Sequence, residues 1–170
     1  MREGGAFHPL AEICKALAVN FQSMRVLEIG AGYGNCSVSM RESQVGEYGK
    51  GGFVVAIEPQ HNLASWVEQN AKSKGVDVIV ERVCSPSSLP EIISKHGPFD
   101  FVLLDQADKS LFSTEFAMLF PHLSRPCVIV AHDVANGHGG DNFWEEFKQR
   151  KDVEFITIPT LPGTGIGVLR

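Results

Sequence analysis

Short apolar runs alternate along the chain with longer stretches in which apolar residues recur every three or four positions. The runs are rich in Val, Ile and Phe, which is typical of strands that are buried on both faces of a sheet. They predict seven strands, at 25–29, 53–57, 76–80, 99–104, 127–131, 153–158 and 165–169.

The stretches between the runs have helical spacing. A glycine-rich segment at 46–52 predicts a surface turn. Four apolar stripes predict helices: Leu10, Ile13, Leu17 and Phe21 after Pro9; Leu63, Trp66, Val67 and Ala71 before Gly75; Phe112, Phe116, Leu119 and Phe120; and Phe143, Trp144 and Phe147.

The alternation of strands and helices predicts a parallel sheet that is covered by helices on both faces. The last two strands are separated only by a Pro- and Gly-containing turn at 159–164, which predicts an antiparallel hairpin. We therefore predict an α/β fold with a doubly wound, seven-stranded, mostly parallel sheet. The length of 170 residues suits a single domain, 1–170.

Composition narrows the classes of protein. Hydrophobic residues make up 44% and charged residues 21%, which suits a soluble domain with a core, and a net charge of −5 argues against a nucleic-acid partner. No apolar run approaches the roughly 20 residues of a membrane-spanning helix, and residues 1–5 do not resemble a secretory signal. Four cysteines without a C-x-x-C pair predict reduced thiols in a cytoplasmic protein.

Polar or glycine residues follow each of the five strands that we expect to be parallel. In such a sheet, ligands bind beyond the carboxyl ends of the strands. We therefore expect the functional site at this edge. The residues that the strands deliver there are the glycine turn 30–34, Glu58, Cys84 with Ser85, Asp105 with Gln106, and His132 with Asp133.

The turn after the first strand contains Gly30, Gly32 and Gly34, and it allows a ligand to approach the backbone at a helix N-terminus. The third glycine follows the second by two residues, whereas the dinucleotide fingerprint requires three. Glu28 can hold a cationic amine, which nicotinamide cofactors lack, and Glu58 can accept both hydroxyls of a ribose. This set favours S-adenosylmethionine over NAD.

The segments VLEIGAGYG at 26–34, VVAIEP at 54–59 and FDFVLLD at 99–105 resemble the successive motifs of class I S-adenosylmethionine-dependent methyltransferases. Within that superfamily the sequence is most similar to small-molecule O-methyltransferases of the catechol and caffeoyl-CoA type. The resemblance runs from about residue 6 to the C-terminus. It implies the strand order 3-2-1-4-5-7-6, with strand 7 antiparallel.

The resemblance also implies roles for residues at the cofactor. Glu28 and the glycine turn would bind the methionine part, Glu58 the ribose and Ser85 the adenine edge. Family members commonly hold the cofactor carboxylate with a serine whose place is taken here by Cys36, so that we expect Ser37 to make this contact. Asp105 completes the expected cofactor set.

A divalent cation is a further implication of the resemblance. Metal-dependent relatives use an Asp after strand four, which Asp105 matches, and an Asp-Asn pair after strand five, which reads His132-Asp133 here. Asp133 suits Mg²⁺, whereas His132 suits a transition metal. A related group of methyltransferases carries a His-Asp pair at this place. The alternative, in which Asp133 closes a loop and His132 bonds within that loop, stays open.

Two residues are candidates for the catalytic base. The family's lysine lies three residues after its strand-four Asp, but Asp108 holds that place here and Lys109 comes next. Lys109 reaches the site only if the loop bulges by one residue; otherwise it is a solvated loop lysine. His132, which titrates near neutral pH, is the second candidate.

We therefore expect a methyltransferase that acts on an oxygen of a small-molecule acceptor, with Mg²⁺ or another divalent cation as an optional metal. Few residues precede the first strand, where catechol-type enzymes carry further helices over the acceptor. Either a partner subunit such as the second chain of a homodimer supplies that wall, the acceptor is small and exposed, or the chain methylates something else. The alternatives are a non-catalytic or partner-dependent S-adenosylmethionine-binding subunit and, more weakly, an NAD(P)-dependent oxidoreductase.

Overall fold

The computed structural model describes residues 9–49, 51–160 and 162–170, so that the expectation for residues 1–5 lies outside the described residues. One seven-stranded sheet organises this part of the chain. Its strands are β1 Arg25–Ile29, β2 Phe53–Ile57, β3 Ile79–Glu81, β4 Phe99–Leu104, β5 Leu123–His132, β6 Val153–Ile158 and β7 Thr164–Leu169.

The strand order is β3-β2-β1-β4-β5-β7-β6, as predicted. Strands β1 to β5 are mutually parallel, and β7 pairs antiparallel with both β5 and β6. The prediction of a doubly wound, mostly parallel sheet with a C-terminal antiparallel hairpin is therefore confirmed. The order reverses at β1 and β4, whose carboxyl ends therefore flank the crevice in which ligands bind to such sheets.

In the described residues, six α-helices cover the sheet, and none of them is long and apolar enough to cross a membrane. Side chains alternate along each strand, so that Leu27 and Val102 pack towards one helix layer and Val26 and Phe101 towards the other. The first layer contains α4 Leu89–His96, α5 Phe112–Leu119 and α6 Asp141–Lys148; the second contains α1 Pro9–Asn20, α2 Asn35–Tyr48 and α3 His61–Ser73.

The C-terminal hairpin packs closely against α6 because β7 contains glycine where the helix presents aromatic rings. A Cβ atom added at Gly165 would lie 2.6 Å from Cδ2 of Trp144. The Trp144 side chain is 1% exposed, and its Nε1–H donates a hydrogen bond of 2.8 Å to Thr157 Oγ1 on β6. The buried stripe predicted on this helix is confirmed.

Three predicted boundaries are wrong. Strand β5 begins at Leu123, four residues before the predicted run at 127–131, because Leu123 also pairs with Phe99 of β4. The run at 76–80 does not form a strand along its length, because α3 ends near Gly75 (φ +69°) and residues 76–78 lead back to the sheet before β3 begins at Ile79. The glycine-rich segment 46–52 is not a turn throughout, since α2 continues past Gly46 to Tyr48. Gly46 is thus helical and has open space beside it.

Two predicted stripe residues face solvent instead of the core. Trp66 is 54% exposed, because α3 packs against the sheet through Ala64, Val67 and Ala71, and position 66 lies to one side of that face. Phe21 is 41% exposed because α1 ends at Asn20, one residue before it.

Candidate active site

The turn after β1 forms the floor of the crevice. Gly30 has a φ of +88° and lies against the backbone of Gln106, so that any Cβ at this position would overlap the turn after β4. Gly32, with a φ of +54°, has open space beside its Cα, and a ligand can therefore approach its backbone. Gly34 follows as the N-cap residue of α2. The predicted glycine turn thus packs on one side and is accessible on the other.

Glu58 is fixed beside this turn at the carboxyl end of β2. Its carboxylate is buried (the residue is 4% exposed), with Oε2 accepting a hydrogen bond of 2.9 Å from the N–H of Gly32 and Oε1 one of 2.9 Å from the N–H of Gln60. A carboxylate has about four lone-pair sites, so that each oxygen retains capacity for a further donor. The geometry is that of a preorganised acceptor of two hydroxyl groups.

Glu28 lies on the other side of the turn, on the face of β1 that is covered by α1 and α2. It is 2% exposed and accepts a hydrogen bond from the hydroxyl of Ser37 on α2. Burial raises the pKa of Glu28 to about 8; the bond from Ser37 offsets part of this effect, and the negative charges of Asp105 and Glu58 add to it. Glu28 is therefore mostly protonated at neutral pH, and the Ser37 hydroxyl is engaged within the protein.

Four ionisable side chains form one cluster after β4 and β5. Lys109 Nζ lies 3.0 Å from Asp105 Oδ1 and 2.9 Å from Asp133 Oδ2. His132 Nδ1 lies 3.0 Å from the same oxygen of Asp105 and 3.3 Å from Asp133 Oδ1. Burial alone would lower the pKa of His132, but the hydrogen bond to Asp105 and the negative charges of both carboxylates raise it. We name these four residues the carboxylate cluster.

Lys109 enters the cluster because the loop after β4 places it there. Asp108 is the N-cap of a short 3₁₀ turn, and its Oδ1 accepts from the N–H of Ser110 at 3.1 Å and from the Ser110 hydroxyl at 2.6 Å. This cap occupies Asp108 and directs the next residue inwards, so that Lys109 is only 8% exposed. The alternative of a solvated loop lysine is therefore wrong.

The donor set of Asp105, His132 and Asp133 fits a divalent cation. One ligand atom from each residue can be chosen so that all lie within 4.8 Å of one another, and all three residues are half-buried. Two carboxylates and an imidazole suit Mn²⁺ or a related transition ion better than Mg²⁺. The same two carboxylates, however, already pair with the ammonium group of Lys109.

A buried carboxyl group at the same edge was missed by the sequence reasoning. Glu115 on α5 is fully buried and accepts hydrogen bonds from the hydroxyl of Ser85 and the side-chain amide of Gln106, whereas its Oε2 has no hydrogen-bond partner in the described part of the chain. Burial raises the pKa of Glu115 to about 7. The sequence contains a signal for this buried carboxyl group, because Glu115 lies at helical spacing from Phe112 and Leu119 and is therefore on the apolar face of the helix.

A family model described as a methyltransferase domain matches residues 27–134, which is more than half of the chain and runs from β1 through β5. No curated protein matches the sequence.

Solved structures share the fold over nearly the whole chain. An O-methyltransferase from Bacillus cereus in complex with SAH has a TM-score of 0.80 at 20% identity, covering 99% of this chain and 84% of that one. A candidate caffeoyl-CoA O-methyltransferase from Staphylococcus aureus has a TM-score of 0.80 at 13% identity, covering 98% and 86%. The O-methyltransferase TomG from Streptomyces achromogenes, which is involved in tomaymycin synthesis and was solved with SAM, has a TM-score of 0.73 at 20% identity, covering 97% and 81%.

Proposed function

The chain belongs to the methyltransferase domain family, and on that premise we propose that it transfers a methyl group from S-adenosylmethionine to an oxygen of a small molecule. The observation that carries the proposal is the fixed carboxylate of Glu58 beside the accessible backbone of Gly32. Solved structures with the same fold contain SAH or SAM, which supports the same cofactor here.

The two acidic side chains that flank the glycine turn suit the two ends of this cofactor. Glu58 has lone pairs left for the two ribose hydroxyls after accepting its backbone N–H groups. Glu28 is the acidic group available to the amino group of the methionine part, and a buried carboxylate pairs strongly with a cation. A nicotinamide dinucleotide has no amino group of that kind, and we therefore favour S-adenosylmethionine over it as the cofactor.

The carboxylate cluster is the part of the site that we assign to the acceptor. Methyl transfer from a sulfonium requires the acceptor oxygen in line with the S–CH₃ bond and the loss of its proton. The ammonium group of Lys109 can orient this oxygen and stabilise its negative charge, and the imidazole of His132 can take up its proton. A divalent cation held by Asp105, His132 and Asp133 would supply Lewis acidity towards the acceptor hydroxyl.

The position of Lys109 supports a catalytic chain over a non-catalytic cofactor-binding subunit. The one-residue displacement of this lysine in the sequence is one of the arguments for the non-catalytic alternative. The ammonium group of Lys109 nevertheless lies 3.0 Å from Asp105, at the start of the 3₁₀ turn after β4, which weighs against that argument. We retain the homodimer as a proposal, and light scattering after size-exclusion chromatography tests it directly.

Calorimetric titration with S-adenosylhomocysteine tests the cofactor assignment. We expect the wild-type chain to bind and Glu58→Ala to bind about a hundredfold more weakly, because two charge-assisted hydrogen bonds of about 1.5 kcal/mol each are lost. Glu91→Ala removes an exposed glutamate on α4 and is the matched control, for which we expect unchanged affinity. Absence of binding by the wild-type chain, or equal affinity of a folded Glu58→Ala variant, would refute the proposal.

A further inference from the structure

Lys109 occupies the space between the two carboxylates that a divalent cation would need. Its Nζ lies within hydrogen-bond distance of both Asp105 Oδ1 and Asp133 Oδ2, at 3.0 and 2.9 Å. Asp105 Oδ1 also lies 3.0 Å from His132 Nδ1, so that one oxygen serves two nitrogen atoms. The donor set therefore already contains a cation, supplied by the chain itself.

We propose that Lys109 is the resident cation of the carboxylate cluster and competes with a divalent metal ion for Asp105 and Asp133. The two cannot share the site, because an ammonium group and a divalent ion bound to the same oxygens would lie a few ångströms apart and repel each other strongly in a half-buried environment. A metal ion consequently binds only when the Lys109 side chain leaves. The inference goes beyond the proposed function, since it concerns cation affinity and holds whichever acceptor is methylated.

The surroundings of Lys109 hold its side chain in this position. Its ammonium group lies 5.4 Å from the ring centroid of Phe112, a distance suited to a cation–π contact. The loop after β5 packs on its aliphatic stem, since a Cβ atom added at Gly139 would lie 3.2 Å from Lys109 Cβ. Displacement of Lys109 therefore costs the two ion pairs and these contacts together, and we expect metal binding to the wild-type chain to be weak.

Titration with Mn²⁺, followed by electron paramagnetic resonance of the free ion, tests the competition. Lys109→Met removes the ammonium group and keeps much of the apolar stem; we expect it to bind Mn²⁺ at least about tenfold more tightly than the wild-type chain. Lys72→Met makes the same change in net charge at an exposed position on α3 and should leave the affinity unchanged. The double variant Lys109→Met/Asp133→Asn should lose the gain, because it lacks one of the ligands.

A measurement on the wild-type chain does not depend on the folding of any variant. Reaction of Lys109 with an amine-specific reagent, quantified by peptide mass spectrometry, should increase when Mn²⁺ saturates the site, because the displaced side chain becomes exposed. Lys95 is already exposed and serves as the internal control, for which we expect no change.

Several results would overturn the proposal. The first is an Mn²⁺ affinity of Lys109→Met that equals that of the wild-type chain, and the second is the same increase in affinity in Lys72→Met. The others are an increase in affinity that persists in Lys109→Met/Asp133→Asn, and a Lys109 that stays unreactive towards the amine reagent when Mn²⁺ saturates the wild-type chain. Binding of S-adenosylhomocysteine is measured separately on the wild-type chain. A failure of that binding refutes the proposed function and leaves the Mn²⁺ result to be judged by itself.

Discussion

The buried carboxyl group of Glu28 makes cofactor affinity depend on pH. With a pKa of about 8, Glu28 is about nine-tenths protonated at pH 7 in the free chain. If it pairs with the cationic amino group of S-adenosylhomocysteine, it must be ionised in the complex. Binding at pH 7 should therefore release about 0.9 proton from Glu28.

The same pKa sets the size of the pH dependence. The ionised fraction of Glu28 in the free chain rises from about 1% at pH 6 to about 50% at pH 8, so that the apparent affinity should rise about fiftyfold across this interval. Above pH 8 the gain levels off, because the carboxylate is then already ionised before the ligand arrives. The affinity rises with pH because the pKa of Glu28 is raised in the free chain and is lowered again by the cationic amino group of the bound ligand.

Calorimetry in two buffers with different ionisation enthalpies measures the number of protons released. Glu28→Gln keeps the size of the side chain but cannot ionise; we expect it to bind more weakly and to lose both the proton release and the pH dependence between pH 6 and 8. Glu91→Gln, on the surface of α4, should behave like the wild-type chain. Affinity that does not change between pH 6 and 8, or binding at pH 7 without proton release, would refute the reasoning for Glu28.

Three further predictions concern stability. The pKa of Glu115 is raised from 4.5 to about 7 in the folded chain, so that between these pH values the folded state holds a proton that the unfolded state loses. The free energy of unfolding should therefore fall by about 3 kcal/mol between pH 4.5 and 7, and urea unfolding of Glu115→Gln should show a smaller fall over the same interval. Gly30→Ala should destabilise the chain by at least about 2 kcal/mol through strain at φ +88° and backbone overlap, whereas Gly46→Ala, helical with open space, should be neutral or stabilising in thermal unfolding. Trp144→Ala should cost about 3–5 kcal/mol in urea unfolding, and Trp66→Ala, at 54% exposure, less than about 0.5 kcal/mol.

Each of these three expectations has its own contrary result. Identical pH slopes for the wild-type chain and Glu115→Gln would show that this carboxyl group titrates normally. A Gly30→Ala variant as stable as Gly46→Ala would contradict the close packing of the two turns, and equal costs at the two tryptophans would contradict their assigned burial.

Local periodicity was sufficient to predict the strands, the mostly parallel sheet and the C-terminal hairpin, whereas the strand order was implied only by the resemblance to methyltransferases. A strand covered on both faces must be apolar along its whole length, so that the runs at 25–29, 53–57 and 99–104 coincide with β1, β2 and β4. The periodicity was less informative where burial is partial. The edge strand β3 has only three paired residues, so that the start of this strand could not be predicted from apolar residues alone. Trp66 lies beside the buried face of α3, and its exposure could not be predicted from them either.

The composition of the crevice also followed from the sequence, because the carboxyl ends of parallel strands meet at one edge. The glycine turn, Glu58, Asp105, His132 and Asp133 are brought to that edge as predicted. Which of these groups touch could not be predicted, since Asp105 and His132 are 27 residues apart and meet through the register of β4 with β5.

The pairing of charges was decided by the tertiary structure alone. Lys109 joins the carboxylates because Asp108 caps a 3₁₀ turn, and Glu28 and Glu115 have raised pKa values because helices exclude water from them. Sequence patterns record whether a position is apolar, and the hydrophobic effect that they reflect has no direction. Ion pairs and desolvation depend on distances of a few ångströms between segments that are remote along the chain, and these distances exist only after the sheet has formed.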